Sequence, residues 1–243
     1  MAIEQSKLYP RVKSGIPGFD EMVAGGFHRG TVNTITGPSG SGKTVFASQF
    51  IYEGTKSGDK GMIITPSESS DFLKREMSAS FGWDFSSLEK EKKVSIIDVT
   101  DPVLRLQKSI DADPVEFLVN FRKLVERKLE EEKPNRLFID DLMAFFTAVE
   151  SQFKIRSLTD DLFDSLRKNG LTSVITIGTA FGMNQILEYG ADSATVLNRE
   201  RIGNVMIRSI YIMKMRGSKI ANTIRVLDIS EEGMSVSSLS PYP

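Results

Sequence analysis

Lys43 and Thr44 close the octet Gly37-Pro38-Ser39-Gly40-Ser41-Gly42-Lys43-Thr44. Its spacing satisfies the phosphate-binding pattern G-x-x-x-x-G-K-[ST] at every position. The three glycines let the backbone curl and approach a phosphate with no Cβ in the way. Successive N–H groups and the start of a following helix then form a concave anion site suited to a di- or triphosphate. The nucleotide-binding stretch is therefore read as Ser39, Gly40, Ser41, Gly42, Lys43, Thr44 and Val45. Lys43 would lie on the β- and γ-phosphates and the Thr44 hydroxyl on a magnesium ion.

Two acids are placed to work with that loop. Arg136-Leu137-Phe138-Ile139-Asp140-Asp141 is an apolar strand ending in carboxylates. A phosphate-loop enzyme uses such an acid to hold the magnesium hydration shell, and Asp140, ahead of Asp141, takes that reading. Glu68 follows the apolar run Met62-Ile63-Ile64-Thr65. Ligands gather outside the carboxyl ends of the strands of an open α/β sheet, which puts Glu68 near a nucleotide. A helix-capping or solvated glutamate is the competing reading.

The elements that must carry these residues follow from patterning. Thr31–Thr36 is β-branched and reads as a strand, and Val45–Tyr52 has the spacing of a half-buried helix. Residues 62–65, 94–98, 136–139 and 171–177 read as buried strands. Helices are expected through residue 80 behind a Ser69, Ser70 or Asp71 cap, over 115–132, and along the stripe Ile155, Leu158, Leu162 and Leu166, closed by Asn169-Gly170. Turn residues bracket a short helix with Phe19, Met22 and Val23, and leave His28 as a surface loop residue. Residues 1–13 read as a mobile lead-in, 99–113 as a loop over the sheet, Gly178–Gly190 as a flexible connection and Ala194–Leu197 as a short strand. Val205–Lys214, Ile224–Ile229 and Met234–Ser237 read as β-ribbons on the sheet edge. The fold class is α/β, a central mostly parallel sheet flanked by helices with a C-terminal antiparallel β extension, in one domain over 14–243.

Composition bounds the rest. The chain has 243 residues, 40% hydrophobic and 26% charged, with a net charge of −1. No overall basic field draws it to nucleic acid or to an anionic membrane. With no cysteine there is no disulfide, thiolate metal site or cysteine nucleophile. The opening residues lack the apolar core of a signal peptide, and no apolar run approaches the ~18 residues of a membrane span. A cytoplasmic location without membrane attachment is expected.

Several segments together resemble the KaiC-like branch of the RecA-type ATPases, in its single-domain archaeal form. They are Ser14-Gly15-Ile16-Pro17-Gly18-Phe19-Asp20-Glu21 with Gly25-Gly26 and the phosphate loop, Ser80-Phe81-Gly82-Trp83-Asp84, Leu137-Phe138-Ile139-Asp140-Asp141, and Lys214-Met215-Arg216-Gly217-Ser218. The resemblance runs over residues 11 to 236 and implies a RecA-like P-loop NTPase fold. It also implies ATP and Mg2+ as ligands, and a homo-oligomer, a hexamer-type ring or a filament, with ATP between protomers. Lys43 and Thr44 carry over as triphosphate and magnesium ligands and Asp140 as the Walker B acid. Lys214 and Arg216 match a Lys-x-Arg pair that reaches the γ-phosphate of the neighbouring subunit, an arginine finger in physical terms. Ser80, Trp83, Met215 and Ser218 match positions at the nucleotide, and Ser230 and Glu231 match a Thr-Asp pair near the base. By themselves Lys214 and Arg216 read first as solvated charges at a strand end, and Trp83 reads equally as core packing.

The sequence also departs from that pattern. Relatives carry two adjacent glutamates after the second strand, where this chain has Ser67-Glu68, so Glu68 takes the role of the water-polarising base one residue displaced or turnover is slow. The strand at 171–177 ends in Ile177-Gly178 where relatives place a polar sensor, and Ile220 stands where a histidine is common. The resulting expectation is Mg-dependent ATP hydrolysis coupled to assembly or conformational signalling, with a protein partner the sequence does not name. The alternatives are a nucleotide-gated binding module with little hydrolysis, or a DNA-recombinase paralogue. DNA is poorly served by Gly178–Gly190, which holds Phe181, Met183 and Glu188 but no Lys or Arg.

Overall fold

The computed structural model describes residues 10–66, 68–99, 113–146, 149, 151–180 and 182–242. The readings of residues 1–9, Ser67, 100–112 and Phe181 lie outside them.

A short hairpin comes first, β1 (Arg11–Val12) pairing antiparallel with β2 (Phe27–His28), with α1 (Phe19–Met22) between them. The phosphate-loop unit follows as β3 (Val32–Gly37) and α2 (Lys43–Lys56). Then come β4 (Gly61–Thr65), α3 (Ser70–Phe81), α4 (Phe85–Lys90), β5 (Val94–Asp98) and α5 (Pro114–Glu132). The chain continues through β6 (Arg136–Ile139), α6 (Met143–Phe146), α7 (Gln152–Lys168), β7 (Thr172–Gly178) and α8 (Asn184–Gly190). It finishes with β8 (Ser193–Ile202), β9 (Val205–Met215), β10 (Arg225–Ser230) and β11 (Gly233–Val236).

Among the described residues one sheet has nine strands in the order β11-β10-β9-β8-β3-β7-β6-β4-β5. From β8 to β5 neighbouring strands run parallel, while β9, β10 and β11 add antiparallel, as patterning predicts. The chain steps outward from β3 through β4 to β5, then back through β6 and β7 to β8. Right-handed crossovers that reverse direction must place their helices on opposite faces, leaving a crevice at the carboxyl ends beside β3. The packing obeys this. Met62, Ile64, Leu137, Ile139, Ile175 and Ile177 pack with α5, α7 and α8. Their alternates Ile63, Phe138 and Val174 pack with Phe46 and Phe50 of α2, Met77 of α3 and Phe85 of α4. Strands buried on both faces read as continuous apolar runs, which is why they were legible.

Caps fix where the helices start. Ser69 accepts from the Phe72 N–H at 3.3 Å, and Asp98 accepts from the Ser70 N–H at 2.8 Å. Asp113 accepts from Val115 and Glu116 ahead of α5, and Ser151 caps α7.

Four expectations change. Arg11 and Val12 form β1 instead of a mobile lead-in. His28 is 7% exposed rather than a surface loop residue, because β2 pairs with β1 and draws it inward. Part of Gly178–Gly190 is the helix α8, too short to show a period over a usual window. Strand β8 runs to Ile202, well beyond Leu197, because its second half pairs only with β9 and is partly solvated, so Asn198–Arg201 needs no apolar pattern. Among the described residues no helix is long and apolar enough to cross a membrane.

Candidate nucleotide site

The loop between β3 and α2 has the geometry its glycines foretell. Gly42 adopts φ 104°, a left-handed conformation costly for any other residue, and hands the chain into α2. A Cβ on Gly37 would stand 2.4 Å from the Leu197 carbonyl oxygen and 2.7 Å from Ser41 Oγ. Helix α2 bonds first from Phe46 N–H to the Gly42 carbonyl at 2.9 Å, so its earlier N–H groups and positive dipole end face the loop. Gln49 anchors the helix from behind. It donates to the Gly15 and Met234 carbonyls and accepts from the Met234 N–H at 2.7 Å.

Beside the loop, two hydroxyls hold one buried carboxylate. Thr44 Oγ1 donates to Asp140 Oδ2 at 2.8 Å, and Thr176 Oγ1 of β7 donates to Asp140 Oδ1. Burial pushes the Asp140 carboxyl above its usual range, and the two hydroxyl bonds oppose that shift. The Lys43 ammonium donates to the Pro38 carbonyl at 3.1 Å. Burial lowers its pKa, while Asp141 and Asp140 support its charge. Asp141 is engaged by backbone, accepting from Gly178 N–H at 3.1 Å and from Met143 N–H at 3.0 Å. This divides the Asp140-Asp141 pair. Asp140 faces Thr44, and Asp141 braces β7 and caps α6. Glu68 is largely exposed at the carboxyl end of β4. Partial burial, then the carboxylates of Asp140 and Glu76, raise its pKa, so it lies within the field of the same cluster.

The oxygens of Thr44 and Asp140 form a hard-donor pair fitting magnesium. Among the described residues no group of three or more His, Cys, Asp or Glu side chains could hold a metal alone. The ion would therefore need phosphate oxygens as well, as it does in phosphate-loop enzymes.

Other expected site residues divide by position. Trp83 is buried, stacked on Phe81 at 4.5 Å and on Tyr52 at 5.4 Å. Ser80 is exposed on α3. Ser230 accepts from Glu232 N–H at 3.2 Å in the β10–β11 turn, where Glu231 is exposed. That hairpin reaches the loop, since Ile229 and Met234 each lie 2.8 Å from where a Gly42 Cβ would stand.

Sequence reading missed several residues here. Arg199 and Arg208 face each other across β8 and β9 over the loop. Arg208 Nε donates to the Gly40 carbonyl at 3.2 Å, and Arg199 Nη1 lies 2.9 Å from the Gly40 Cβ position. Their signal was hidden once β8 was read as ending at Leu197. Thr176 gives no signal in sequence, since a β-branched residue inside a buried strand reads as packing.

Lys214 and Arg216 lie elsewhere. Lys214 pairs with Ala194, which pairs with Thr34, and the Arg216 N–H bonds to the Asp192 carbonyl beside the start of β3. Along β3, roughly 13 Å separates Asn33 from Gly37 at ~3.3 Å per residue. Lys214 Nζ donates to the carbonyls of Ala191 at 2.7 Å and Tyr189 at 3.0 Å. Arg216 Nη2 donates to Tyr189 at 3.1 Å, and its Nη1 lies 3.7 Å from Asp192 Oδ1. Both cations thus occupy the end of the sheet away from their own phosphate loop.

Comparison with known proteins adds to this geometry. The family model described as "ATPase: KaiC" matches residues 12–240. The circadian clock protein KaiC3 of Synechocystis is 31% identical over 214 residues, which is 86% of this chain and 41% of that protein. The UPF0273 protein of Thermotoga maritima is 29% identical over 237 residues, 94% of this chain and 96% of that one. The crystal structure of a KaiC-like protein from Pyrococcus horikoshii superposes with a TM-score of 0.80 at 34% identity, covering 94% of this chain and 99% of that chain. The chain therefore spans about two fifths of the length of the clock protein and nearly the whole of the other two.

Proposed function

Since the chain belongs to the KaiC family of ATPases, we propose that it binds Mg–ATP on Gly37–Thr44 and hydrolyses it in a site completed by a second copy. In this reading residues 14–243 act as one ATPase domain in the cytoplasm, and nucleotide state governs assembly into a ring or filament. The observation carrying the proposal is the division of labour across the sheet. The loop, Thr44, Asp140 and Glu68 gather at the carboxyl ends of the strands. Lys214 and Arg216 sit at the far end, bonded to the Tyr189 and Ala191 carbonyls and out of reach of their own loop, so the phosphates they would meet are another molecule's.

Backbone N–H groups of the loop and the Lys43 ammonium would hold the phosphate oxygens, Lys43 exchanging the Pro38 carbonyl for the nucleotide. Thr44 and Asp140 would hold magnesium, which supplies charge neutralisation between the β- and γ-phosphates when bound. Glu68 would orient the attacking water and take its proton as the water oxygen bonds the γ-phosphorus and the bond from that phosphorus to the departing ADP oxygen breaks. Partial burial and the carboxylates of Asp140 and Glu76 raise the pKa of Glu68, which gives the carboxylate more basicity than an ordinary glutamate. Arg216 and Lys214 of the neighbour would stabilise the charge spreading over the transferred phosphoryl oxygens. A finger of this kind contributes roughly 10³–10⁵-fold in rate. Ser80, Ser230 and Glu231 of the same copy, with Met215 and Ser218 of the neighbour, border the nucleotide in this account. Trp83, held in its aromatic stack, shapes the site from behind.

A second reading, tight binding with little hydrolysis, draws on Gly178. It offers no side chain to sense the γ-phosphate, and its N–H is already given to Asp141. Phosphate release at concentrations that allow assembly separates the two. Hydrolysis in the wild type that falls roughly 10²–10⁴-fold in Glu68→Gln, with ATP binding retained, supports catalysis by Glu68. A wild-type protein that binds ATP and assembles without measurable hydrolysis supports the second reading. Particle mass with and without Mg–ATP tests the assembly step, and a monomer under both conditions leaves Lys214 and Arg216 without a target.

A further inference from the structure

The end of β9 and the turn after it, which carry Lys214 and Arg216, are held from two sides. On one side the carbonyls of Tyr189 and Ala191 receive the two cations. Side chains alternate along a strand, so Met215 faces the opposite way. There it meets Arg11, 204 residues earlier in the chain. Arg11 Nη1 donates to the carbonyls of Val23 at 2.8 Å and Gly26 at 2.7 Å and approaches Met215 Sδ at 3.6 Å. Arg11 Nη2 donates to Ser218 Oγ, directly beyond the turn. His28, the cross-strand partner of Arg11, brings Nε2 to within 3.4 Å of the same oxygen.

Five donors in a rigid plane let one guanidinium tie several groups at fixed angles. Arg11 uses them to fasten the β1–β2 hairpin to both ends of the Met215–Ser218 turn, whose Gly217 sits at φ 70° and adds no rigidity of its own. We propose that Arg11 is a positioning residue for Lys214 and Arg216, fixing the turn from which they reach the phosphates of a second copy. This rests on the composite-site reading above.

The test uses the full-length protein and mixed assemblies. Arg11→Met alone is expected to lower kcat roughly 10- to 100-fold, the effect of losing a charged hydrogen bond at a placed group, with KM for ATP within about twofold. Arg11→Lys keeps the charge but not the planar fork and is expected to fall between the two. Mixed with Lys43→Ala, which lacks a working loop but keeps its finger, Arg11→Met is expected to regain activity. With random assembly roughly a quarter of interfaces then join an intact loop to an intact finger. Wild-type kcat in Arg11→Met overturns the proposal. So does a mixture that stays inactive while the matching mixture of Arg216→Ala with Lys43→Ala recovers, because Arg11 would then act on its own chain's loop or fold. If neither mixture recovers, the composite site itself fails, and this inference with it.

Discussion

Replacing Thr176 by valine removes one hydroxyl and little else. Thr176 is fully buried on β7, and valine keeps its branched shape while a methyl replaces the hydroxyl. What disappears is one of two donors to the Asp140 carboxylate, leaving Thr44 as the other. A hydrogen bond to a charged group is worth about 1.5–3 kcal/mol, and burial already holds the Asp140 carboxyl above its usual range. The variant should therefore bind magnesium at Asp140 more weakly, with roughly 10- to 150-fold as the upper bound at 1.4 kcal/mol per factor of ten. Calorimetric titration with ATP in magnesium and in chelator isolates this effect, which belongs to the magnesium arm alone. Thr36→Val is the control. Its hydroxyl is buried without a hydrogen-bond partner, so its loss should leave binding within twofold and unfolding no easier. The reasoning is refuted if Thr176→Val binds Mg–ATP like wild type, or if both arms weaken equally.

Gly37→Ala should lose nucleotide binding and about 1–3 kcal/mol of stability, because the added Cβ meets the Leu197 carbonyl and Ser41, and backbone cannot move aside as a side chain would. Denaturant titration and nucleotide binding measure the two effects. Arg136→Met should cost about 3–5 kcal/mol in the same titration, since it strands Asp59, which Arg136 meets at 2.7 Å, and the carbonyls of Lys13 and Phe50. For His28, burial and then the Arg11 charge depress the folded pKa below 6.5. The unfolded chain takes up the proton first, so stability is full above pH 6.5 and declines as pH falls through the folded value. A wild-type melting temperature that drops below pH 6.5 more steeply than that of His28→Gln bears this out, and parallel curves contradict it.

The loop was legible because everything it needs is contiguous. Glycines, Lys43 and Thr44 lie in eight successive positions between a β-branched strand and an amphipathic helix. The parallel sheet was legible because strands covered on both faces are built from apolar and β-branched residues. Interactions spanning the chain were not. Arg11 meets Ser218 across 207 positions, and Arg208 meets Gly40 across 168. Neither partner carries a local signature, since an arginine in a lead-in or on a ribbon looks solvated until the fold supplies acceptors. His28 misled for a related reason. Its glycine-rich flanks signal a turn correctly, but pairing of β2 with β1 was invisible while residues 1–13 were read as mobile. Asp140 leads Asp141 in sequence only by its place at the strand end, and what faces each one divides their roles, hydroxyls for Asp140 and backbone N–H groups for Asp141.

The central claim is that one copy's loop works with another copy's Lys214 and Arg216. Its most direct test is steady-state ATP turnover of Lys43→Ala and Arg216→Ala, each alone and then mixed in equal amounts. The account predicts little turnover from either variant and a recovery to roughly a quarter of wild type on mixing. Full activity in Arg216→Ala alone, or no recovery from a mixture that co-assembles, would contradict it.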